Sequence, residues 1–351
     1  MFTSSKRAAA LGLALTALVA SGCGSDDDAA TTSSAPGTGA TAAPAGKKIK
    51  VGLVTDIGGL NDRSFNALAN KGLEDAKSQL GVEGRVITSK SNSDYVPNLS
   101  SLAQQKYDLI VGVGFLMADA VDTVAKKFPE TNFALIDFPQ AGLKGKPKNV
   151  RGLLFKENEA GYLAGFLAGS YAKANKIDTI SSVGGQKIPP VDAYIAGYQA
   201  GAKAASPQIK TLNGYSQDFV DQAKCKELAL DQIDRGSGIV FQVAGQCGLG
   251  ALDAAKEKSK LGIGVDADQG YLGDQVLTSA LKKIDIAVFE TIKSVQDDAF
   301  MPGEDQIFDV KSDGVGLGEI SPQGAEFEAA VEEVKAKIAA GEIEIPDTVG
   351  K

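Results

Sequence analysis

Residues 49–80 read IKVGLVTDIGGLNDRSFNALANKGLEDAKSQL, and this stretch decides the fold class. Ile49–Thr55 is a β-branched and apolar run of strand length. Asp56 follows it, and then Gly58 and Gly59, a pair that lets the backbone turn tightly. Beyond the turn, Phe65, Ala69, Leu73, Ala76 and Leu80 recur at steps of four, four, three and four, which marks one face of an α-helix. Asn61 or Asp62 suits its N-cap. A strand, a glycine turn and an amphipathic helix make the opening half of a βα unit.

The unit repeats outward along the chain. Further strands are expected at Arg85–Thr88, Asp108–Gly112, Phe133–Asp137 and Gly152–Phe155. A second series covers Thr179–Gly184, Gln208–Leu212, Ile239–Ala244, Gly262–Asp266 and Val276–Ser279. Helical patterns cover Ala160–Ala174, Val191–Ala205, Val220–Ile233 and Lys282–Val295. Strands alternating with helices build parallel sheets covered on both faces. Ten strands divide better between two sheets than into one very wide one. The expected fold class is therefore α/β: two doubly wound, mostly parallel sheets in two lobes, with a ligand cleft between them. The lobes are expected at 47–154 plus 279–315 and at 155–278 plus 316–351.

The start of the chain is an address. Lys6 and Arg7 precede an apolar run of 13 residues, Ala8 to Ala20, short of the roughly 20 needed to span a bilayer. Ala20-Ser21-Gly22-Cys23 resembles a bacterial lipobox with Ala20 in place of the usual Leu. Residues 1–22 are thus expected to be a lipoprotein signal peptide and Cys23 the lipidated N-terminus; the alternative is an ordinary secretory signal. Cleavage would remove Lys6 and Arg7. Residues 24–46 contain only Gly, Ser, Asp, Ala, Thr and Pro, too little apolar surface to order a segment, and are read as a disordered tether reaching roughly 25–30 Å. Two further cysteines, Cys225 and Cys247, are expected to form a disulfide in an oxidising compartment, against the alternative of two separate buried thiols.

Composition excludes several chemistries. The 351 residues contain no His, which removes Ser-His-Asp and Cys-His nucleophile systems and His metal sites. The net charge of −8 argues against a nucleic-acid partner. Ser279-Ala280-Leu281-Lys282 matches an S-x-x-K element, but its S-D-N and K-T-G companions are missing. Gly245 to Gly250 departs from the dinucleotide fingerprint, there is no Walker A lysine loop, and Asp266-x-Asp268 lacks the Glu of a calcium loop. No catalysis, metal or cofactor is expected.

Ligands of parallel sheets sit beyond the carboxyl ends of the strands. Asp56, Asp137, Gly245 and Asp266 all fall there, and Phe65 and Phe219 lie beside such segments. Carboxylates gathered in a cleft suit the vicinal hydroxyls of a neutral ligand and repel phosphate. Taken singly, each Asp could equally cap a helix and each Phe fill the core.

The run Asp56-Ile57-Gly58-Gly59-Leu60-Asn61-Asp62-Arg63-Ser64-Phe65-Asn66 resembles the signature of the basic membrane protein family, the lipoproteins similar to purine nucleoside receptor A. Phe155-Lys156-Glu157, Tyr162-Leu163-Ala164-Gly165, Val183-Gly184-Gly185, Val265-Asp266-Ala267-Asp268-Gln269 and Leu277-Thr278-Ser279-Ala280-Leu281-Lys282 extend the likeness over 48–320. The resemblance implies a type I periplasmic-binding-protein fold and delivery of nucleosides to an ABC permease. By motif, Phe65 and Phe219 would sandwich the base, and Asp56, Asn61 and Asp137 would meet its edges. Gly245, Asp266 and Lys282 would hold the ribose hydroxyls. The Cys225–Cys247 pair would be a local addition stapling a binding loop. The expected protein is a monomeric receptor held by the Cys23 lipid on the extracytoplasmic face of the cell membrane. The competing readings are a sugar or polyol receptor on the same fold, a nucleoside-processing enzyme, and a surface adhesin or signalling protein.

Overall fold

The βα unit at the start of the globular part forms as its pattern dictates. β1 (Lys50–Val54) runs into a turn where Gly58 and Gly59 both take positive φ, and α1 (Phe65–Leu80) follows. The structure, a computed structural model, describes residues 46–350. The expected signal peptide, the lipidated Cys23 and nearly all of the tether lie outside those residues. Among the described residues no helix is long and apolar enough to cross a membrane.

The first sheet continues through β2 (Glu83–Ile87), α2 (Tyr95–Gln104), β3 (Leu109–Gly112), α3 (Ala118–Lys127), β4 (Asn132–Ile136) and β5 (Val150–Phe155). The second is built from α4 (Glu157–Ala174), β6 (Thr179–Gly184), α5 (Pro189–Ala205), β7 (Lys210–Tyr215), α6 (Gln222–Asp234) and β8 (Ser237–Val243), then α7 (Gly245–Glu257), β9 (Leu261–Asp266) and β10 (Val276–Lys282). The chain then returns for α8 (Ile284–Gln296), which packs on α1, and for β11 (Gln306–Phe308). It crosses once more to β12 (Val315–Leu317) and α9 (Glu328–Ala339).

Each sheet has six strands, ordered β11-β5-β4-β3-β1-β2 and β12-β10-β9-β8-β6-β7. Every pairing is parallel except β10 with β12. The expected fold class is thus what the chain adopts, with two short edge strands beyond the ten expected. The expected lobe boundary at 278/279 falls inside β10, which the second sheet holds as far as Lys282.

Three crossings therefore join the sheets: after β5, after β10 and after β11. The long α4 lies behind the second sheet against α5, and Ala160, Leu163, Ala164, Leu167 and Ala168 are all fully buried. A helix apolar over most of its circumference must be enclosed in this way. Cys225 of α6 and Cys247 of α7 sit with their Cα atoms 5.5 Å apart, within the range a disulfide spans.

Candidate functional site

The carboxyl ends of the strands converge on one cleft, as expected for parallel sheets. Its space between atoms is about 620 Å³ counting the mouth, and the interior is a narrow slot. Seven of the eight expected ligand residues line it: Asp56, Phe65, Asp137, Phe219, Gly245, Asp266 and Lys282.

Asn61 departs from the expectation. The turn that follows the positive-φ glycines carries it to the surface, where it lines a separate depression with Leu60 and Arg63. The asparagine that reaches the cleft is Asn66, the second residue of α1. Its Oδ1 accepts the Asp56 N–H at 2.9 Å and its Nδ2 donates to the Ile57 carbonyl at 3.3 Å, so it fixes the loop that carries Asp56. Asp62 fastens the same segment. Its carboxylate accepts from the N–H groups of Ser64, Asn66 and Ala67, which satisfies donors left open at the start of α1.

Asp56 itself is buried. Oδ1 accepts from the Ile57 N–H at 2.7 Å and from the Tyr95 hydroxyl, while Oδ2 faces Gly114. Gly114 has φ +110, and a Cβ there would stand 2.6 Å from Asp56 Oδ2 and press on the Phe65 ring. Any side chain at 114 would intrude on the slot. Burial pushes the Asp56 carboxyl up to about 6, against the opposing hydrogen bond from Tyr95.

A second group centres on Lys282, the last residue of β10 rather than the start of a helix. Its ammonium lies 2.5 Å from Asp137 Oδ1 and 2.8 Å from Glu157 Oε1, and the three side chains are 2%, 5% and 8% exposed. The contact with Asp137 is a close ion pair, and the lysine is the one partner its Oδ1 has among the described residues. The same ammonium stands 5.3 Å from the Phe65 ring centroid and 4.8 Å from that of Phe155. Burial disfavours its charge, but the carboxylates of Asp137, Glu157 and Asp266 outweigh that and hold its pKa above the ordinary lysine value. Burial raises Asp137 and Glu157 despite the lysine beside them.

Asp137 and Asp266 share a backbone peculiarity. Each follows or ends its strand in the left-handed region, at φ +68 and +61, where a residue other than glycine is uncommon and costs energy. The two strand ends thereby turn their carboxylates into the slot. Asp266 takes hydroxyl donors from Ser64 and Tyr194, and burial pushes its carboxyl up to about 6.

The aromatic walls come from different lobes. Phe65 opens α1, and Phe219 lies in the connection after β7, its ring packed flat enough on Gly185 that a Cβ there would sit 2.3 Å from it. The Phe219 carbonyl accepts the Cys247 N–H at 3.1 Å, which ties this wall to the start of α7, beside Gly245 with φ +55. Sequence reasoning left out Asp62, Asn66, Gly114, Phe115, Tyr194 and Gln246 as cleft residues, along with Tyr95 and Glu157 behind them. Asp62, Ser64 and Asn66 stood inside the quoted motif and were readable there; Tyr95 and Tyr194 had no such signal.

Comparison with known proteins adds a second line of observation. A family model described as "Bmp: ABC transporter substrate-binding protein PnrA-like" matches residues 49–349. A Lactococcus lactis protein named ABC transporter nucleoside-binding protein BmpA is 35% identical over 320 residues, covering 85% of this chain and 89% of its own. An uncharacterised lipoprotein of Pyrococcus abyssi is 36% identical over 295 residues, 80% of this chain and 72% of that one. Among solved structures, an ABC transporter solute-binding protein from Aeropyrum pernix matches with a TM-score of 0.77 at 28% identity, over 86% of this chain and 94% of that chain.

Proposed function

We propose that the cleft binds a nucleoside, on the premise that this chain belongs to the Bmp family of PnrA-like ABC transporter substrate-binding proteins. It is a receptor of the type I periplasmic-binding fold and not an enzyme. The observation that carries the nucleoside reading is the composition of one narrow slot, where two phenylalanines from different lobes meet the buried carboxylates of Asp56, Asp137 and Asp266 and a lysine already paired with Asp137 and Glu157. Phe65 and Phe219 would stack on the two faces of a base. Asp56 and Asp137 would accept from its edge. Asp266, Lys282 and the backbone at Gly245 would take the ribose hydroxyls through charge-assisted hydrogen bonds. A phosphate would find no free cation among the lining residues, so nucleosides are favoured over nucleotides, and a purine, with its larger ring system, would gain more from two stacking walls than a pyrimidine.

The test is calorimetric titration of ligand-free protein with adenosine, guanosine, inosine, uridine and ribose. Submicromolar binding of purine nucleosides without release of free base supports the reading. A response to ribose alone would favour the sugar-receptor alternative, and silence across the panel would sink both.

Binding should also move protons. Asp56 and Asp266 are raised in the folded protein to about 6, above the ordinary 3.8, so their contribution to stability is present at low pH and is lost as pH rises through 6. A ligand that donates hydrogen bonds to both carboxylates favours the ionised form. Close to one proton in total should leave on binding at pH 6, falling toward none by about pH 8, with affinity rising over that interval. Titrations at pH 6 in two buffers of different ionisation enthalpy measure the release directly; identical heats in both would count against carboxylates as the acceptors.

The same reading extends to the ends of the chain. Residues 1–22 would be removed and Cys23 lipidated, anchoring the receptor outside the membrane beside its permease, with the lobes divided at the strand ends, after Phe155, after Lys282 and before Val315. Incorporation of labelled palmitate, lost in Cys23→Ser, tests the anchor. Cys225 and Cys247 are read as bridged. At a sequence separation of 22, reduction should cost about 3 kcal/mol in urea unfolding, and a protein indifferent to dithiothreitol would show the thiols to be free.

A further inference from the structure

Asp266 is held from both sides by hydroxyl groups. Ser64 Oγ donates to its Oδ2 at 2.7 Å, and the Tyr194 hydroxyl donates to its Oδ1 at 3.3 Å. All three residues are buried. The two donors come from opposite halves of the molecule: Ser64 stands between β1 and α1 on the first lobe, Tyr194 in α5 on the second.

Ser64 is not occupied in the way its place suggests. It sits at the N-cap of α1, where a serine ordinarily accepts from the helix's first N–H groups, but its side chain makes no cap hydrogen bond. Asp62 performs that task, accepting from Ser64, Asn66 and Ala67. The freed hydroxyl reaches across the cleft to Asp266, with the Val265 carbonyl 3.1 Å away. Beside it Gln269 Nε2 donates to the Arg63 carbonyl at 3.3 Å, a second bond between the lobes.

An ionised carboxylate offers about four lone-pair sites. Ser64 and Tyr194 fill one on each oxygen, which leaves one on each for a ligand. Two adjacent hydroxyls on a ring present two donors to such a pair. We infer that Ser64 and Tyr194 are positioning residues that bracket Asp266 so that it selects a vicinal diol. Because Ser64 belongs to the opposite lobe, the bracket is complete only in the closed cleft, which couples closure to recognition of the sugar. This rests on the nucleoside reading above and specifies which part of the ligand is discriminated.

The experiment compares adenosine, guanosine and inosine with their 2′-deoxy forms by calorimetry, in wild type, Ser64→Ala, Ser64→Thr and Tyr194→Phe. Wild type should prefer the ribonucleoside by about 30-fold, the size of one hydrogen bond to a charged group. In Ser64→Ala and Tyr194→Phe that ratio should shrink to a few-fold while the deoxy affinity holds, and Ser64→Thr should restore it. Tyr194→Phe removes a single oxygen, so the test does not depend on how Ser64→Ala folds. Equal loss for both ligand forms, or an unchanged ratio, overturns the bracket alone. Silence of the wild type toward every nucleoside overturns the nucleoside reading and the bracket with it.

Discussion

Replacing Lys282 with methionine is expected to destabilise the ligand-free protein by about 3–5 kcal/mol near neutral pH, the range seen when one partner of a buried ion pair is removed. The lysine is fully buried and is the cation shared by Asp137 and Glu157, with Asp266 also within its field. Methionine fills much of the same volume, so the loss would come from electrostatics rather than from a cavity. Carboxylates stranded in this way take up protons instead of remaining charged. The deficit should therefore shrink between pH 7.5 and pH 5, and the double variant Lys282→Met with Glu157→Gln should recover part of it. Guanidinium unfolding at the two pH values measures both effects. A loss below about 1 kcal/mol would show that the pair is replaceable and that the lysine is kept for the ligand alone.

The second large effect concerns binding. Phe65→Ala should weaken purine nucleosides by about 10- to 100-fold, since base–aromatic stacking is worth about 1–3 kcal/mol per base. Phe65 is half-buried at the head of α1, and its ring lies within cation–π range of the Lys282 ammonium, so its orientation is set from behind. Phe219→Ala should act similarly, with a further loss if its loop relaxes away from Gly185. Ribose affinity, by contrast, should hardly move in either variant. Calorimetry with inosine and ribose on the same protein separates the two cases. A nucleoside affinity unchanged in both alanine variants would leave the slot without its base platform and return the question to a sugar receptor.

The parts of the molecule legible in the sequence are those encoded locally. The strand at Ile49–Thr55 and the face of α1 declare themselves through periodicity, and Asp56, Asp137 and Asp266 through their place at strand ends. α7 is masked by its own composition: Gly245, Gly248 and Gly250 weaken any helical pattern, yet the helix forms, packed closely on α6. α2 and α3 are each only 10 residues long, so about three turns of their pattern are there to be read. Lys282 was read as opening a helix because its apolar neighbours continue past it; the sheet instead holds the chain to that residue.

Asn61 and Asn66 show the limit most clearly. Both are asparagines in one motif, and only the path of the turn through Gly58 and Gly59 decides which of them faces the cleft. The partners that tune the site were further out of reach. Tyr95, Glu157 and Tyr194 lie 39, 125 and 72 residues from the groups they contact, separations that no local pattern records.

The three crossings also govern the order in which the molecule can be made. β5, laid down by residue 155, finds its edge partner only when Gln306–Phe308 has been synthesised, and α1 waits for α8 at 284–296 to cover its flank. Throughout the making of the second lobe the nascent first lobe thus shows an open sheet edge and an uncovered helix face, the kind of surface on which incomplete chains aggregate. Neither half can finish before nearly the whole chain has emerged, on whichever side of the membrane it folds, and the two halves are then completed almost together.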